Sequence, residues 1–209
     1  MTALSPEQTI AVIGAGAMGA GVAQVAANAG HPVKLYDQAE GAAERAIERI
    51  VRGLDRLVER GRISAEEQAA LVSRIQPVDT LEEIGDAALV IEAIIEDLSI
   101  KQQLFRQLEG LCPEAILASN TSSLSITAIG SALQRPERLI GMHFFNPAPI
   151  MKLVEIIRGL ASDPALAQTL FDTAQAWGKL AVHARSTPGF IVNRVARPYY
   201  AEALRLLQE

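Results

Sequence analysis

Short apolar segments alternate with longer amphipathic ones along the first part of the chain. The apolar segments predict buried strands at 9–13, 33–36, 88–91 and 115–118. The amphipathic segments predict a helix that ends at Gly30, a long helix through 47–58 that Gly61 stops, a helix from Ser64 to about Ile75, and helices at 99–111 and 125–133. Strands and helices that alternate in this way favour a doubly wound, largely parallel sheet.

The next segment departs from that alternation. Strands are predicted at 139–144 and 152–157, and the proline-rich turn between them is short enough to join an antiparallel pair. A helix follows over 163–177, where Asp163 and Pro164 are typical of a helix start, and 180–184 is a last strand. The predicted fold class is therefore α/β, with a mostly parallel sheet and antiparallel additions.

The C-terminal segment predicts the beginning of a second unit. Residues 187–189 break the pattern, and a helix with a bend at Pro198 follows over 190–207. No later element is available to pack against its apolar positions, which are Ile191, Val195, Tyr199, Leu206 and Leu207. We expect residues 1–186 to form one domain and 187–209 to be the first helix of a truncated, all-helical C-terminal domain. The alternative is that this helix folds back on the sheet.

Composition narrows the classes of function. The net charge of −5 argues against nucleic acid or an anionic membrane as the main partner. A single cysteine, Cys112, excludes an internal disulfide and a cysteine-cluster metal site, so no metal is expected. Residues 10–30 carry no charge, but five glycines, Gln24 and Asn28 argue against a membrane span. We expect a cytoplasmic protein.

A glycine-rich turn lies between the first predicted strand and helix. It reads Gly14-Ala15-Gly16-Ala17-Met18-Gly19, and glycines there let backbone N–H groups approach a pyrophosphate at the helix N-terminus. Asp37 ends the second strand, where a carboxylate can bind the ribose hydroxyls and repel a 2′-phosphate. With the uncharged Gln38 beside it, this pattern favours NAD over NADP. The alternative is a packing turn and a surface aspartate.

Strand parity points to a histidine–carboxylate pair. Glu155 shares an apolar face with Leu153 and Ile157, so its carboxylate needs a partner. His143 on the preceding strand is placed to provide it, since the short turn brings the two strands together. The carboxylate would orient the imidazole and leave its other nitrogen as a general base for alcohol oxidation. The alternative is a core histidine with a satisfied hydrogen bond.

Small polar residues follow the strand at 115–118. Asn120, Thr121, Ser122 and Ser123 stand at the carboxyl edge, where open α/β sheets bind ligands. They can hold a substrate oxygen or cap the next helix. Asn193, after the 187–189 turn, is likewise a cleft contact or a cap. His31 and His183 have no carboxylate partner in the pattern and are predicted to be structural.

Several motifs in order resemble one enzyme family. The segments are GAGAMGAGVA at 14–23, IEAIIED at 91–97, SNTSSL at 119–124, HFFNPAPIMKLVE at 143–155 and TPGFIVNR at 187–194. Together they resemble the 3-hydroxyacyl-CoA dehydrogenases, with a Rossmann-like NAD-binding domain. WGK at 177–179 and the stretch 186–200 are similar to the bacterial phenylacetate-pathway members, which act on 3-hydroxyadipyl-CoA or 3-hydroxybutyryl-CoA.

The resemblance implies roles for individual residues. His143 is then the catalytic base with Glu155 as its partner, and Ser122 and Asn193 contact the 3-oxygen of the substrate. The positions that match the nicotinamide side of the cofactor site are Glu96, Lys101, Ser122 and Asn146. Those that match the pyrophosphate and ribose side are Gly14, Gly16, Ala17, Met18, Gly19 and Asp37. In the long helix, the family's CoA-binding serine and lysine correspond to Gly53 and Arg60.

The function implied is reversible, NAD-dependent oxidation of L-3-hydroxyacyl-CoA to 3-oxoacyl-CoA in fatty-acid or phenylacetate catabolism. The family's helical C-terminal domain supplies the dimer interface and closes the acyl pocket, so a chain that ends near its first helix is expected to turn over slowly. Two alternatives remain. One is a non-catalytic NAD-binding protein, and the other is a hydroxyacid dehydrogenase with a lysine base, which would oxidise the free acid.

Overall fold

The computed structural model describes residues 3–208. Residues 1 and 2 of the expected first domain and residue 209 of the expected second domain lie outside the described residues. The strands are β1 (Ile10–Ile13), β2 (Val33–Tyr36), β3 (Ile75–Val78), β4 (Leu89–Glu92), β5 (Ile116–Ser119), β6 (Leu139–Phe144), β7 (Leu153–Arg158) and β8 (Leu180–Arg185). The helices are α1 (Ala17–Asn28), α2 (Ala42–Glu59), α3 (Ala65–Val72), α4 (Leu98–Leu111), α5 (Ile126–Gly130), α6 (Pro164–Ala176) and α7 (Val192–Leu206).

All eight strands belong to one sheet, in the order β3-β2-β1-β4-β5-β6-β7-β8. The strands from β3 to β6 in this order are parallel to one another. The β7 strand runs antiparallel to β6, and β8 runs parallel to β7. The predicted Rossmann-like sheet with an antiparallel addition is therefore confirmed.

One strand was missed by the sequence pattern. The third helix was expected to continue to about Ile75, but α3 ends at Val72 and Ile75 begins β3. Pro77 lacks an N–H group and disfavours a strand in the middle of a sheet. It is tolerated because β3 is an edge strand, bonded on one side only to β2.

Helices cover both faces of the sheet. One apolar cluster contains side chains of α1, α2, α3 and α6 packed on one face. A second contains side chains of α4 and α5 on the other, together with Phe190. This layering leaves the carboxyl ends of the central strands β1, β4, β5 and β6 free to form a cleft.

The last helix projects from the domain. None of the residues of α7 is buried, and its apolar side chains Val195, Tyr199 and Leu206 are between 62% and 73% exposed. The alternative in which the helix folds back on the sheet is therefore wrong. Pro198 lies inside α7. Within residues 3–208, no helix combines the length and apolar character that crossing a membrane requires.

Candidate active site

The cleft begins at the glycine-rich turn between β1 and α1. A cavity of about 620 Å³ is lined there by Gly14, Gly16, Asp37 and Gln38. Gly14 has a φ of +102°, and a Cβ added to it would lie 2.6 Å from the carbonyl oxygen of Ala93. Side chains are thus excluded at Gly14, and the chain turns tightly enough to present its backbone to the cavity.

The same turn leaves the start of α1 available for an anion. Gly16 is the N-cap residue and provides no side-chain cap, and the first turn of α1 contains no acidic residue. Ala17 and Met18 begin this helix, while Gly19 is buried so closely under Gly14 that a Cβ would lie 1.7 Å from its carbonyl oxygen. An uncapped helix N-terminus reached through glycines fits a dinucleotide pyrophosphate.

Asp37 lines this cavity and binds the glycine-rich turn. Its carboxylate accepts hydrogen bonds from the N–H groups of Ala15, at 2.7 Å, and Ala39, at 2.9 Å. Arg49 of α2 donates to the carbonyl oxygen of Ala15 at 2.8 Å. The backbone of Ala15 is therefore bound at both its N–H group and its carbonyl oxygen. The contribution of Arg49 was not predicted, and its position on the helix gave no signal for it.

His143 and Glu155 form the pair that strand parity predicted. They are direct partners in the register of β6 and β7, and His143 Nδ1 lies 2.7 Å from Glu155 Oε2. Glu155 is fully buried, and His143 is 5% exposed. The rings of Phe145 and Phe190 lie against the imidazole, with centroids at 4.5 and 5.9 Å. The imidazole is thereby oriented by the carboxylate and enclosed by aromatic rings.

The other oxygen of Glu155 binds the beginning of α7. Oε1 accepts hydrogen bonds from the N–H groups of Ile191, at 2.9 Å, and Val192, at 3.0 Å. Phe190, just before them, has a φ of +49°, a backbone angle that residues other than glycine rarely adopt. Burial raises the pKa of Glu155, but the hydrogen bonds from His143 and these amides outweigh it and lower the pKa below its ordinary value.

Glu96 collects donors from the segment after β5. Its Oε1 accepts hydrogen bonds from the hydroxyls of Thr121 and Ser123 and from the N–H groups of Ser122 and Ser123, at 2.6 to 3.0 Å. Burial raises the pKa of Glu96, but these bonds and the charge of Lys101 outweigh it and lower the pKa below its ordinary value. Glu96 is thus held as an anion.

Lys101 lies beneath Glu96 rather than in the open cleft. It is 1% exposed, and its ammonium pairs with the fully buried Glu92 and, at 3.4 Å, with Glu96 Oε2. Glu92 also accepts hydrogen bonds from the Ser119 hydroxyl at 2.7 Å and the Ile94 N–H at 2.8 Å. Glu92 was not predicted as part of the site, although the parity argument used for Glu155 applies equally to a carboxylate that ends the apolar strand β4.

A second cavity, of about 500 Å³, opens in front of His143. It brings together most of the residues that were predicted to bind the substrate or the nicotinamide, and it contains one cation that was not predicted, Arg197. The residues that line it include Met18, Glu96, Ser122, His143, Asn146, Asn193 and Arg197. The Asn193 side-chain amide donates to the carbonyl oxygen of Ser122 at 3.1 Å. The segment after β5 and the start of α7 therefore meet at the imidazole.

Other predicted positions lie elsewhere or have structural partners. Asn120 also lines the second cavity, and its side-chain oxygen accepts a hydrogen bond from the Phe144 N–H at 2.8 Å. Ser125, not the residues before it, caps α5. Arg60 is at the C-terminal end of α2 and does not line either cavity. A Cβ at Gly53 would meet no atom within 4 Å.

The two remaining histidines have neutral partners among the described residues. His31 accepts a hydrogen bond from the Trp177 indole N–H at 2.9 Å, and His183 bonds the Gln168 amide oxygen at 3.2 Å. Burial lowers the pKa of both imidazoles. The structural role predicted for both is consistent with these contacts. Within residues 3–208, no cluster of three or more His, Cys, Asp or Glu side chains could hold a metal ion.

Comparison with known proteins identifies the family. The family model described as 3-hydroxyacyl-CoA dehydrogenase, NAD binding domain, matches residues 9–187. The 3-hydroxyadipyl-CoA dehydrogenase of Escherichia coli (strain K12) is 51% identical over 203 residues, which cover 97% of this chain and 43% of that protein. The probable 3-hydroxybutyryl-CoA dehydrogenase of Bacillus subtilis (strain 168) is 46% identical, with 96% and 70% covered.

A solved structure gives the same result. The crystal structure of 3-hydroxybutyryl-CoA dehydrogenase from Escherichia coli K12 superposes with a TM-score of 0.95 at 50% identity, covering 98% of this chain and 43% of that one. This chain therefore spans less than half the length of the first relative named here. On the family match and these identities, the chain belongs to the 3-hydroxyacyl-CoA dehydrogenase family and carries its NAD-binding domain.

Proposed function

We propose that the chain performs the chemical step of an NAD-dependent L-3-hydroxyacyl-CoA dehydrogenase, the reversible oxidation of a 3-hydroxyacyl-CoA to a 3-oxoacyl-CoA. The observation that carries the proposal is the His143–Glu155 pair, whose imidazole opens into a cavity beside the glycine-rich turn. A dinucleotide site and an oriented base in one cleft are what oxidation of an alcohol by NAD requires.

In this proposal His143 removes the proton of the 3-hydroxyl. Glu155 accepts the hydrogen bond of Nδ1–H, so Nε2 keeps its lone pair and faces the substrate. Glu155 also stabilises the imidazolium that forms. NAD, when bound, supplies the acceptor for the hydride from C3. In the reverse direction the imidazolium returns the proton to the 3-oxygen.

Neighbouring residues position the two ligands. Ser122 and Asn193, which line the cavity with His143, bind the 3-oxygen of the substrate. Glu96 and Asn146 contact the nicotinamide side of the cofactor, and Lys101 acts there through Glu96 because its ammonium is buried. Residues Gly14, Gly16, Ala17, Met18 and Gly19 present backbone N–H groups to the pyrophosphate, and Asp37 binds the ribose. Arg60 contributes charge to CoA binding from the end of α2.

The proposal extends to the domains and the assembly of the whole protein. Residues 1–186 form the NAD-binding domain, and 187–209 begin a helical domain that completes the acyl pocket and forms a homodimer in the cytoplasm. The exposed apolar side chains of α7, which include Val195, Tyr199 and Leu206, support this proposal, since they lack packing partners within the described domain.

The test follows NADH absorbance with acetoacetyl-CoA and, in parallel, free acetoacetate. We expect NADH to be oxidised with the CoA ester only, which is reduced to the 3-hydroxyacyl-CoA, and a drop of about 10²- to 10⁴-fold in turnover for His143→Gln with unchanged NADH affinity by fluorescence titration. Binding of NADH without reduction of either compound would favour the non-catalytic alternative. Reduction of the free acid at an equal rate would favour a hydroxyacid dehydrogenase.

A further inference from the structure

An arginine that has no partner in the described part of the chain lines the cavity in front of His143. Arg197 lies on α7, and among the described residues that line this cavity it is the only lysine or arginine. Across residues 3–208 its guanidinium makes neither a hydrogen bond nor an ion pair. A guanidinium presents several donors in a plane that matches a carboxylate, so an unpaired one at a substrate cavity calls for an anionic ligand group.

The other charged groups of the cavity are already engaged. Glu96 accepts hydrogen bonds from the Thr121–Ser123 segment and pairs with Lys101, so its charge is satisfied without Arg197. Lys101 is buried beneath it and offers no charge to the cavity. Glu155 is held behind the imidazole by His143 and two backbone amides. The positive charge of Arg197 is therefore available to a ligand.

The position of Arg197 sets where that anionic group must lie. Asn193 and Arg197 are four residues apart on α7, which places them on one face of the helix, about 6 Å apart along its axis. Asn193 is anchored to the Ser122 carbonyl oxygen next to His143, where C3 of the substrate reacts. A carboxylate three carbon–carbon bonds beyond C3 lies roughly 4 Å further along the acyl chain, within reach of an arginine side chain.

We propose that Arg197 determines acyl specificity by binding a carboxylate at the far end of the acyl group, so that CoA esters of 3-hydroxydicarboxylic acids are preferred over unsubstituted esters. This inference rests on the proposed function, since it takes His143 as the point where C3 reacts. A bidentate guanidinium–carboxylate contact accounts for the charge of Arg197, its position and the lack of a partner for it within residues 3–208.

The test uses two ligands of equal length, 3-hydroxyadipyl-CoA and 3-hydroxyhexanoyl-CoA, which differ only in a terminal carboxylate or methyl group. Their binding to the chain with NADH present is measured by calorimetry, and their oxidation with NAD by absorbance. We expect Arg197→Met to weaken the dicarboxylyl ester about tenfold and to leave the hexanoyl ester within about twofold. Arg194→Met, which removes the same charge from the same helix outside the cavity, should change neither.

The outcomes separate the inference from the proposed function. An equal loss for both esters would show that Arg197 binds CoA phosphates or supports the helix, and no loss for either would show that it binds nothing; both overturn the inference. The proposed function fails instead if the unmodified chain binds NADH but oxidises neither ester. The calorimetric preference for the dicarboxylyl ester still decides the role of Arg197 in that case, because it needs no turnover.

Discussion

Two buried carboxylates hold residues near the cleft from opposite halves of the sheet, and their partners differ in kind. Glu92 ends β4, which pairs with β1, and Glu155 lies in β7, which pairs with β6; both side chains are fully buried. Glu92 pairs with the ammonium of Lys101, which exchanges no proton in the proposed reaction. Glu155 pairs with the His143 imidazole, which in the proposed reaction accepts and releases a proton in each cycle. In that proposal the first pair stabilises the structure, and the second also supports catalysis.

The other hydrogen-bond donors to the two carboxylates also differ. Glu92 takes its other hydrogen bonds from Ile94 and Ser119, within its own turn and from the adjacent strand. Glu155 takes them from the backbone of Ile191 and Val192, far along the chain. Removing Glu92 should therefore affect folding most, whereas removing Glu155 should affect the protonation behaviour of the site.

The largest change in stability is expected for Glu92→Met. It leaves the Lys101 ammonium buried with Glu96 and the carbonyl oxygen of Ile94, each at 3.4 Å, as its partners, and should lower the free energy of unfolding by about 3 kcal/mol in urea denaturation. The double variant Glu92→Met with Lys101→Met removes both charges and should recover most of that loss. A double variant as unstable as the single one would mean that shape, not charge, matters at this position.

A smaller effect, dependent on pH, is expected for Glu155→Gln. The amide keeps an acceptor for the backbone N–H groups but loses the charge, so at pH 7 the variant should be less stable by about 1–2 kcal/mol. The folded-state pKa of Glu155 is depressed below its ordinary value of 4.5, by hydrogen bonds that outweigh burial. Its stabilisation is therefore complete above that value and is lost as the pH falls through the lower, folded-state pKa.

Denaturation of wild type and Glu155→Gln from pH 7 to pH 3 checks this expectation. The two free energies of unfolding should converge toward the acidic end, while the variant oxidises substrate more slowly at every pH where both are folded. A constant gap across the range would contradict the depressed pKa.

The smallest effect is expected for Ser119→Ala. It removes one neutral donor from Glu92 and a 3.3 Å acceptor for the Thr121 N–H, but it leaves Lys101 and the Ile94 N–H in place. The change should cost about 1 kcal/mol of unfolding free energy. NADH affinity, followed by fluorescence, should stay unchanged because Ser119 lines neither cavity. A loss as large as that of Glu92→Met would mean that the hydroxyl, rather than the ammonium, holds the carboxylate.

Most of the fold could be predicted from periodicity alone. Apolar runs and capping residues placed every strand except β3, and Ser64 and Glu67 form the capping box that opens α3. The miss at β3 has a physical reason, because a strand of four residues that contains Pro77 carries less apolar signal than the helix before it. Only its edge position in the sheet makes it possible, and that position depends on contacts between distant segments.

The candidate site, like the fold, could be predicted only in part. The His143–Glu155 pair follows from the alternation of side chains on two adjacent strands, which is a local rule. The burial of Lys101 and the amides that bind Glu155 depend on how helices pack on the sheet. Phe190 adopts a left-handed conformation that its residue type disfavours, so no local rule predicts where the following N–H groups point.

The turn that contains Phe190 has a consequence for modularity. The donors it presents to Glu155 are main-chain amides, which every residue except proline supplies, so the joint between the sheet and α7 tolerates changes of side chain but not loss of the segment. A chimera that exchanges the part after Ser186 between relatives preserves this joint when the turn keeps its backbone course. The proposed domain border at residue 187 thus divides the sequence but not the structure. The hydrogen bonds to Glu155 tie residues 187–192 to the part of the sheet that carries His143 and Glu155.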